Sequence, residues 1–406
     1  MMLFKLAFRN ILRQRRRSLL TGLSIVGGFV ICTFTFSLLE GSWGNAVDFF
    51  TLDSIGHIQI HWADYEKKPK VHKAINDRRS IEKVLSANEE IKSFAPRVYS
   101  PALAYAGTKT TPATVVGVDS ILEPKVTRLK EKTTIGQYYD TTGTPTAMIG
   151  VGIAKSLNIG VGDEIVLISQ GADGSIANDL YPVSAIVGNK SSTDSRVVYL
   201  RLKDAQMFLS MGDSVHEYAL LVRTPDDNEA IAKQLQTALH IDMPEITVSP
   251  WQVVEASFYR TMLSDKQANR FMLGVLIFII FIGVLNTVLM SVLERTREFG
   301  VLRAIGSRPA TVAKLIFIET MMLTTLCLIV SIILLIPILL WLVNIGFALP
   351  EPVDIGGMSF SHISGRVSPL VLLAPIAYIY SFTAVVTILP AIRAANVTPK
   401  TAMGSH

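Results

Sequence analysis

Between residues 294 and 306 five charged side chains, Glu294, Arg295, Arg297, Glu298 and Arg303, are interleaved with Phe299, Val301, Leu302 and Ile305, and the stretch closes on Gly306. Carboxylates and guanidinium groups mixed in this way can pair with one another or set the register of a partner, while the apolar side chains can fill a groove on it. That is the chemistry of recognition. Patterns that would support catalysis are missing: there is no GxxxxGK[ST] phosphate loop, no HExxH and no GxSxG elbow. The glycine-rich run 150–162 lacks the Lys-Ser/Thr pair of a phosphate cradle and reads as turns between strands and a helix. His57 and His61 share a face of a strand-like stretch, but the sequence places no carboxylate beside them. No catalytic residue, metal site or cofactor is therefore assigned to this chain.

The elements that carry these residues follow from composition. Half of the 406 residues are hydrophobic and only 17% are charged, a balance unusual for a water-soluble chain. Residues 18–40, 271–293, 315–343 and 370–392 are long enough and apolar enough to span a bilayer. Gly22, Ser24, Gly27 and Gly28 give the first span a small-residue face on which another helix can approach closely. Residues 1–17 read as an amphipathic helix on the membrane surface, anchored by Arg9, Arg13, Arg15, Arg16 and Arg17. Residues 41–270 are a mixed α and β domain, with alternating strand-like runs at 55–61, 114–118, 164–169 and 196–202 and helical signals at 80–85, 153–157, 202–209 and 227–239. A Thr/Gly/Pro run at 140–146 suggests a division into two lobes. Residues 294–314 form a charged segment between spans, 344–369 a Pro/Gly-rich loop, and 393–406 a tail. The predicted fold class is an α-helical membrane protein with four transmembrane helices plus a large mixed α/β extracytoplasmic domain between the first two.

Charge sets the orientation. From residue 43 to 269 there are 23 lysines and arginines against 27 acids, whereas the segments before 18, from 294 to 314 and after 392 hold 13 basic residues against Glu294 and Glu298 alone. By the positive-inside rule both termini and 294–314 are cytoplasmic and 41–270 lies outside. The basic blocks abut apolar runs, so a nucleic-acid partner is not expected. Cys32 and Cys327 both fall in apolar runs, which argues against a disulfide framework. Glu319, near the start of the third span, is a candidate proton relay, but is rather expected to cap or pair with an arginine of a neighbouring helix.

Three motifs carry a resemblance. The block LAFRNILRQRRRSLLTGLSI at 6–25, the run SVLERTREFGVLRAIG at 291–306 and the closing PAIRAANVTP at 390–399 resemble the signatures of MacB/FtsX-like permeases of ATP-driven (ABC, type VII) transporters. Phe299 stands where isoleucine is usual. The run IGVGIAKSLNIGVGD at 149–163 is similar to the external domain of lipoprotein-releasing and macrolide-exporting members, and the layout is closest to lipoprotein-releasing permeases. The resemblance implies a permease in a bacterial inner membrane, working as a dimer with a second copy or a paralogue. It would transmit movement from two copies of a cytoplasmic ABC ATPase, which would bind the ATP and Mg. Lipoprotein or amphipathic cargo would be extracted or exported. It further implies that Glu294, Arg295, Arg297, Glu298, Phe299, Leu302, Arg303, Ile305 and Gly306 meet the ATPase. A hairpin tip at 169–180, with Gln170, Asp173, Ile176 and Asp179, is a candidate contact for a periplasmic carrier, adaptor or hydrolase, although it lacks a Pro-rich hook. The competing readings are a regulator of a cell-wall hydrolase and a motor-free membrane receptor or scaffold.

Overall fold

The structure, a computed structural model, describes Arg9 and residues 15–139, 143–189, 192–355 and 358–396. Helix α1 (Arg15–Phe50) is followed by a π-turn, Thr51–Ile55. Then come β1 (Ile58–Trp62), α2 (Arg78–Ala87), β2 (Ile91–Ala106), β3 (Lys109–Val118), α3 (Glu123–Val126), β4 (Thr133–Gly136), β5 (Ala147–Gly150) and α4 (Val151–Leu157). The domain continues through β6 (Glu164–Gln170), β7 (Ile176–Val187), β8 (Val197–Arg201), α5 (Leu202–Phe208), β9 (Glu217–Val222), α6 (Asn228–His240), β10 (Ile246–Pro250) and α7 (Trp251–Val254). The C-terminal part holds α8 (Ala256–Glu294), α9 (Thr296–Ala304), α10 (Pro309–Asn344), β11 (Phe347–Ile355), β12 (Met358–Ile363) and α11 (Pro369–Ala395). Of the surface helix expected over 1–17, only Arg9, which is exposed, and the backbone of Arg15, Arg16 and Arg17 at the start of α1 are described; Arg13 lies outside the described residues.

The chain forms two compact units. In the first, α1, α8, α10 and α11 supply four helices long and apolar enough to cross a membrane. Their shared core includes Ile25, Phe29, Val284, Val288, Leu328, Leu335 and Ile379. The small-residue face of α1 divides by role. A methyl group on Gly28 would come within 2.8 Å of Ile280 and one on Gly22 within 3.2 Å of the Cys327 sulfur, while Gly27 faces open space. Two of the three glycines thus permit close approach between helices. Helix α1 also runs past residue 40 to Phe50. Gly41 is tolerated inside the helix because its missing side chain makes room for the carbonyl of Ser364, which a methyl there would meet at 2.2 Å.

The second unit is built on one ten-stranded sheet. Strands β10, β1 and β9 pair antiparallel with each other and then with the first half of β2. The second half of β2 enters a different arrangement: β2 pairs β3, β3 pairs β8, β8 pairs β5, β5 pairs β7, β7 pairs β6, and β6 returns to β2. Six strands therefore close a circuit, with no free edge between them. Ala104 opposite Leu167 lies on its buried side, and both are fully buried; Leu103 opposite Ile168 lies on the other. The 16-residue strand β2 joins the two arrangements, and one core cluster runs from Ile58 and Ile60 to Ile149, Ile165 and Leu167. Residues 140–142 are outside the described set, and β4 and β5 on either side of them pair with the same strand, β7.

Candidate functional site

Helix α8 ends at Glu294 because Arg295 leaves helical geometry, and α9 begins one residue later. The hydroxyl of Thr296 donates to the carbonyl of Leu293 at 2.8 Å, which helps secure the turn. At the other end Gly306 takes φ of +97°, its amide donates to the Arg303 carbonyl, and the Ser307 amide donates to the Leu302 carbonyl at 3.1 Å. This paired closure satisfies carbonyls that a helix end leaves bare and needs a residue at home in the left-handed region. Arg303 adds a bond from Nη1 to the Ser307 carbonyl at 3.0 Å. Pro309 then opens α10 at the position where its missing amide costs nothing.

This nine-residue helix has two apolar sides. Phe299 is 1% exposed and packs with Val292, Val312, Ile316, Ala391 and Ala394; Leu302 leans on the same cluster. Arg295 is also turned inward. Its Nη1 donates to both oxygens of Glu319 at 2.8 Å, its Nε donates to Glu298 at 2.8 Å, and its guanidinium carbon sits 5.3 Å from the centre of the Phe299 ring. Glu319 thus has the arginine partner expected of it. The outer stripe is different: Arg297, Val301 and Ile305 follow at i, i+4 and i+8, with Val301 51% and Ile305 77% exposed. Glu294 and Glu298 are exposed nearby. Of the residues expected to meet a partner, Phe299 and Arg295 are thus turned to the chain's own side chains and Leu302 is half-buried, while Arg297, Val301 and Ile305 are exposed. Alternation along a short helix shows that apolar residues occupy both sides, but not which side the chain covers with its own spans.

The β6–β7 hairpin is tighter than the expected 169–180 tip. Its strands reach Gln170 and resume at Ile176. Asp173 accepts from the amide of Ser175 at 3.0 Å and from its hydroxyl at 2.6 Å. The Ala172 amide donates to the Leu209 carbonyl, tying the tip to the end of α5. Gln170, Asp173, Ile176 and Asp179 are all exposed, Ile176 to 83%.

A third constellation has no local signature. Arg97 on β2 binds Glu123 through Nε at 3.0 Å and Nη2 at 2.7 Å, and its Nη1 reaches Glu217 at 3.0 Å. The other oxygen of Glu217 lies 3.2 Å from His61 Nε2. This is the carboxylate that the sequence could not place, 156 residues away. Burial alone would raise Glu217, but the bond to His61 and the charge of Arg97 outweigh it and hold the carboxyl below its ordinary range. Beside this group Lys132 donates to Asp53 at 3.0 Å and Asp194 at 2.7 Å. Two cations thus serve four carboxylates, most of them buried.

Comparison with known proteins agrees with this architecture. The family model of the MacB-like periplasmic core domain matches residues 18–238, and that of the FtsX-like permease C-terminal region matches residues 270–399. The chain is 24% identical over 274 residues to the lipoprotein-releasing system transmembrane protein LolE of Haemophilus influenzae, covering 64% of this chain and 62% of that protein. It is 21% identical over 250 residues to LolC of Neisseria meningitidis, covering 60% of each. The matches thus span about three fifths of these relatives' length. Among solved structures, the periplasmic region of MacB from Actinobacillus actinomycetemcomitans aligns at 12% identity and a TM-score of 0.37, over 50% of this chain and 92% of that one. The extracellular domain of the ABC-type transporter YknZ from Gram-positive bacteria aligns at 12% identity and a TM-score of 0.36, over 47% and 98%. With two family models together covering the external domain, the charged helix between spans and the closing helix, the chain belongs to the MacB/FtsX-like family of ABC transporter permeases.

Proposed function

We propose that this chain is the transmembrane subunit of an ATP-driven, mechanically coupled transporter of a bacterial inner membrane. In this reading both termini and α9 are cytoplasmic and the large domain is periplasmic. ATP and Mg are bound by a separate ATPase in two copies, and the permease works as a dimer with a second copy or a paralogue. The cargo is a lipoprotein or another amphipathic molecule, as the names of the lipoprotein-releasing relatives suggest. The observation that carries the reading is the two-sided build of α9. Its inner side is anchored by buried Phe299 and the Arg295–Glu319 pair, while its outer stripe offers Val301 and Ile305 between charges. A helix anchored on one side and apolar on the other can transmit a push, because the bonds that position it are not the bonds the partner makes.

The test replaces Val301 and Ile305 by Asp together. Two exposed apolar residues carry the docking contact in this reading, so stimulation of the co-expressed ATPase by the permease should fall at least ten-fold, with insertion and yield unchanged. Full stimulation in the double variant would refute the assignment of this face.

A further inference from the structure

The six-strand circuit closes along only part of β7. Residues 183–187 of that strand pair with β5 and β4, whereas residues 176–182 pair with β6 alone among the described residues. The phase of the β6–β7 pairing says where the other side of the strand points. The Gly171 amide donates to the Ser175 carbonyl at 2.9 Å, so Ala177, Asp179 and Tyr181 exchange bonds with β6, while Ile176, Asn178 and Leu180 turn their N–H and C=O groups away from it. The Leu180 amide is taken by the Asp179 carboxylate at 2.8 Å. The backbone groups of Ile176 and Asn178 have no backbone partner among the described residues. Sheet edges are ordinarily blunted by proline, charge or a covering element. Pro182 and Asp179 do this for the far half of the segment, and 176–178 stay open. A groove of about 320 Å³ runs beside this edge. Ser175, Ile176, Ala177, Asn178 and Asp179 all line it. Successive residues of a strand point to opposite faces, so a cavity that touches all five flanks the edge and not one face. The opposite wall is Met207 and Phe208 of α5, and the Phe208 ring meets Tyr181 of β7 edge to face with centroids 6.2 Å apart. Ile176 is 83% and Met207 70% exposed, so both rims of the groove are apolar.

We infer that the open edge of β7 takes an extended segment of another protein by strand addition. Amides and carbonyls alternating at strand spacing are matched by a second extended backbone, not by a lipid tail, and this fixes the chemistry of the occupant. Alternate side chains of the added strand enter the groove against Tyr181, Met207 and Phe208, which suits a residue of valine or isoleucine size. Asp179 favours a basic residue beside it. A second copy of β7 would bring a second Asp179 to the same edge, so the occupant is a different chain. The inference concerns the second unit alone and does not depend on coupling to an ATPase.

The experiment follows amide hydrogen exchange by NMR on the full chain in detergent, without ATP or ATPase. The probe is the peptide acetyl-Lys-Val-Lys-Val-Lys-amide at millimolar concentration, and its control is the same peptide with every backbone amide methylated. In the free protein the amides of Ile176 and Asn178 should exchange fast and that of Ala177 slowly. The parent peptide should slow the first two, and methylation, which removes its donors, should weaken binding by about ten-fold or more. Asn178→Pro deletes an outward amide that β6 does not use, so it should unfold at the parent temperature and lose binding to a similar extent. Met207→Asp changes an exposed side chain on the far rim and should weaken binding several-fold. Unchanged exchange at Ile176 and Asn178 with the parent peptide, equal binding of the methylated peptide, or undiminished binding to either variant would overturn the inference.

Discussion

Single side chains here act through partners distant in sequence, and two of them give measurable outcomes. Arg295 is nearly buried between Glu319 and the exposed Glu298. Glu319→Gln leaves the guanidinium with only its weaker partner, so stability should drop by roughly 1–3 kcal/mol. Replacing both, Arg295→Met with Glu319→Leu, should recover most of the loss, because no buried charge then lacks a mate. Thermal unfolding in detergent compares the two; an equal loss in both variants would count against the pair. His216 gives a second case. Its Nδ1 accepts from the Tyr99 amide at 2.9 Å and its Nε2 donates to the Val71 carbonyl at 2.8 Å. Burial, first of all, lowers its pKa from the ordinary 6.5, and protonation would also forfeit the Tyr99 bond. The unfolded chain therefore takes up the proton first as pH falls below 6.5, and stability declines from there until the folded ring is protonated as well, by at most about 1.4 kcal/mol per pH unit for this group. Glu217, held below its ordinary 4.5, adds the usual carboxylate behaviour: its contribution is present above 4.5 and lost as pH falls. Exchange protection of the Tyr99 amide, corrected for intrinsic rate, should be level above pH 6.5 and fall below it. His216→Gln should flatten the upper part of that fall. Protection independent of pH down to 5 would contradict the assignment.

At the level of elements, β2 pairs with β9, β3 and β6, and its register makes opposite forecasts for adjacent positions. Ala104 is fully buried opposite Leu167 on the inner side of the six-strand circuit, while Leu103 is 43% exposed opposite Ile168. Ala104→Phe overpacks a closed space and should cost about 1–3 kcal/mol or more, whereas Leu103→Ser should stay within about 0.5 kcal/mol. Denaturant unfolding of the two variants checks the register, and equal costs would argue against it. Elements of this kind were partly legible. Alternation at 114–118 and 164–169 and helical spacing at 227–239 announce β3, β6 and α6, because each pattern is local. The closed circuit is not announced, because it rests on the parallel β3–β8 pairing and the β6–β2 return, which no local pattern encodes. The site divides the same way. The charged turn after α8 and the glycine that ends α9 are visible as residue types, but the inward side of Phe299 depends on Val312 and Ala394 in other helices.

For the whole chain, the proposed topology takes the four apolar helices among the described residues as single crossings, which puts both ends of the spanning part on one side, and assigns that side to the cytoplasm by the 13-to-2 excess of basic over acidic residues before 18, in 294–314 and after 392. The net −4 of residues 43–269 adds little to that decision, since large domains cross regardless of charge. The prediction can be read by labelling single introduced cysteines in intact bacteria. Gly107, at the turn between β2 and β3, has open space around it, and Ser307 lies in the turn between α9 and α10. Cys32 and Cys327 are buried and should give little background. Gly107→Cys should react with a membrane-impermeant maleimide once the outer barrier is opened, and Ser307→Cys should react only after the inner membrane is permeabilised. The converse pattern would place α9 and its Val301–Ile305 stripe on the side without ATP, and the coupling role proposed for that helix would fall with the topology.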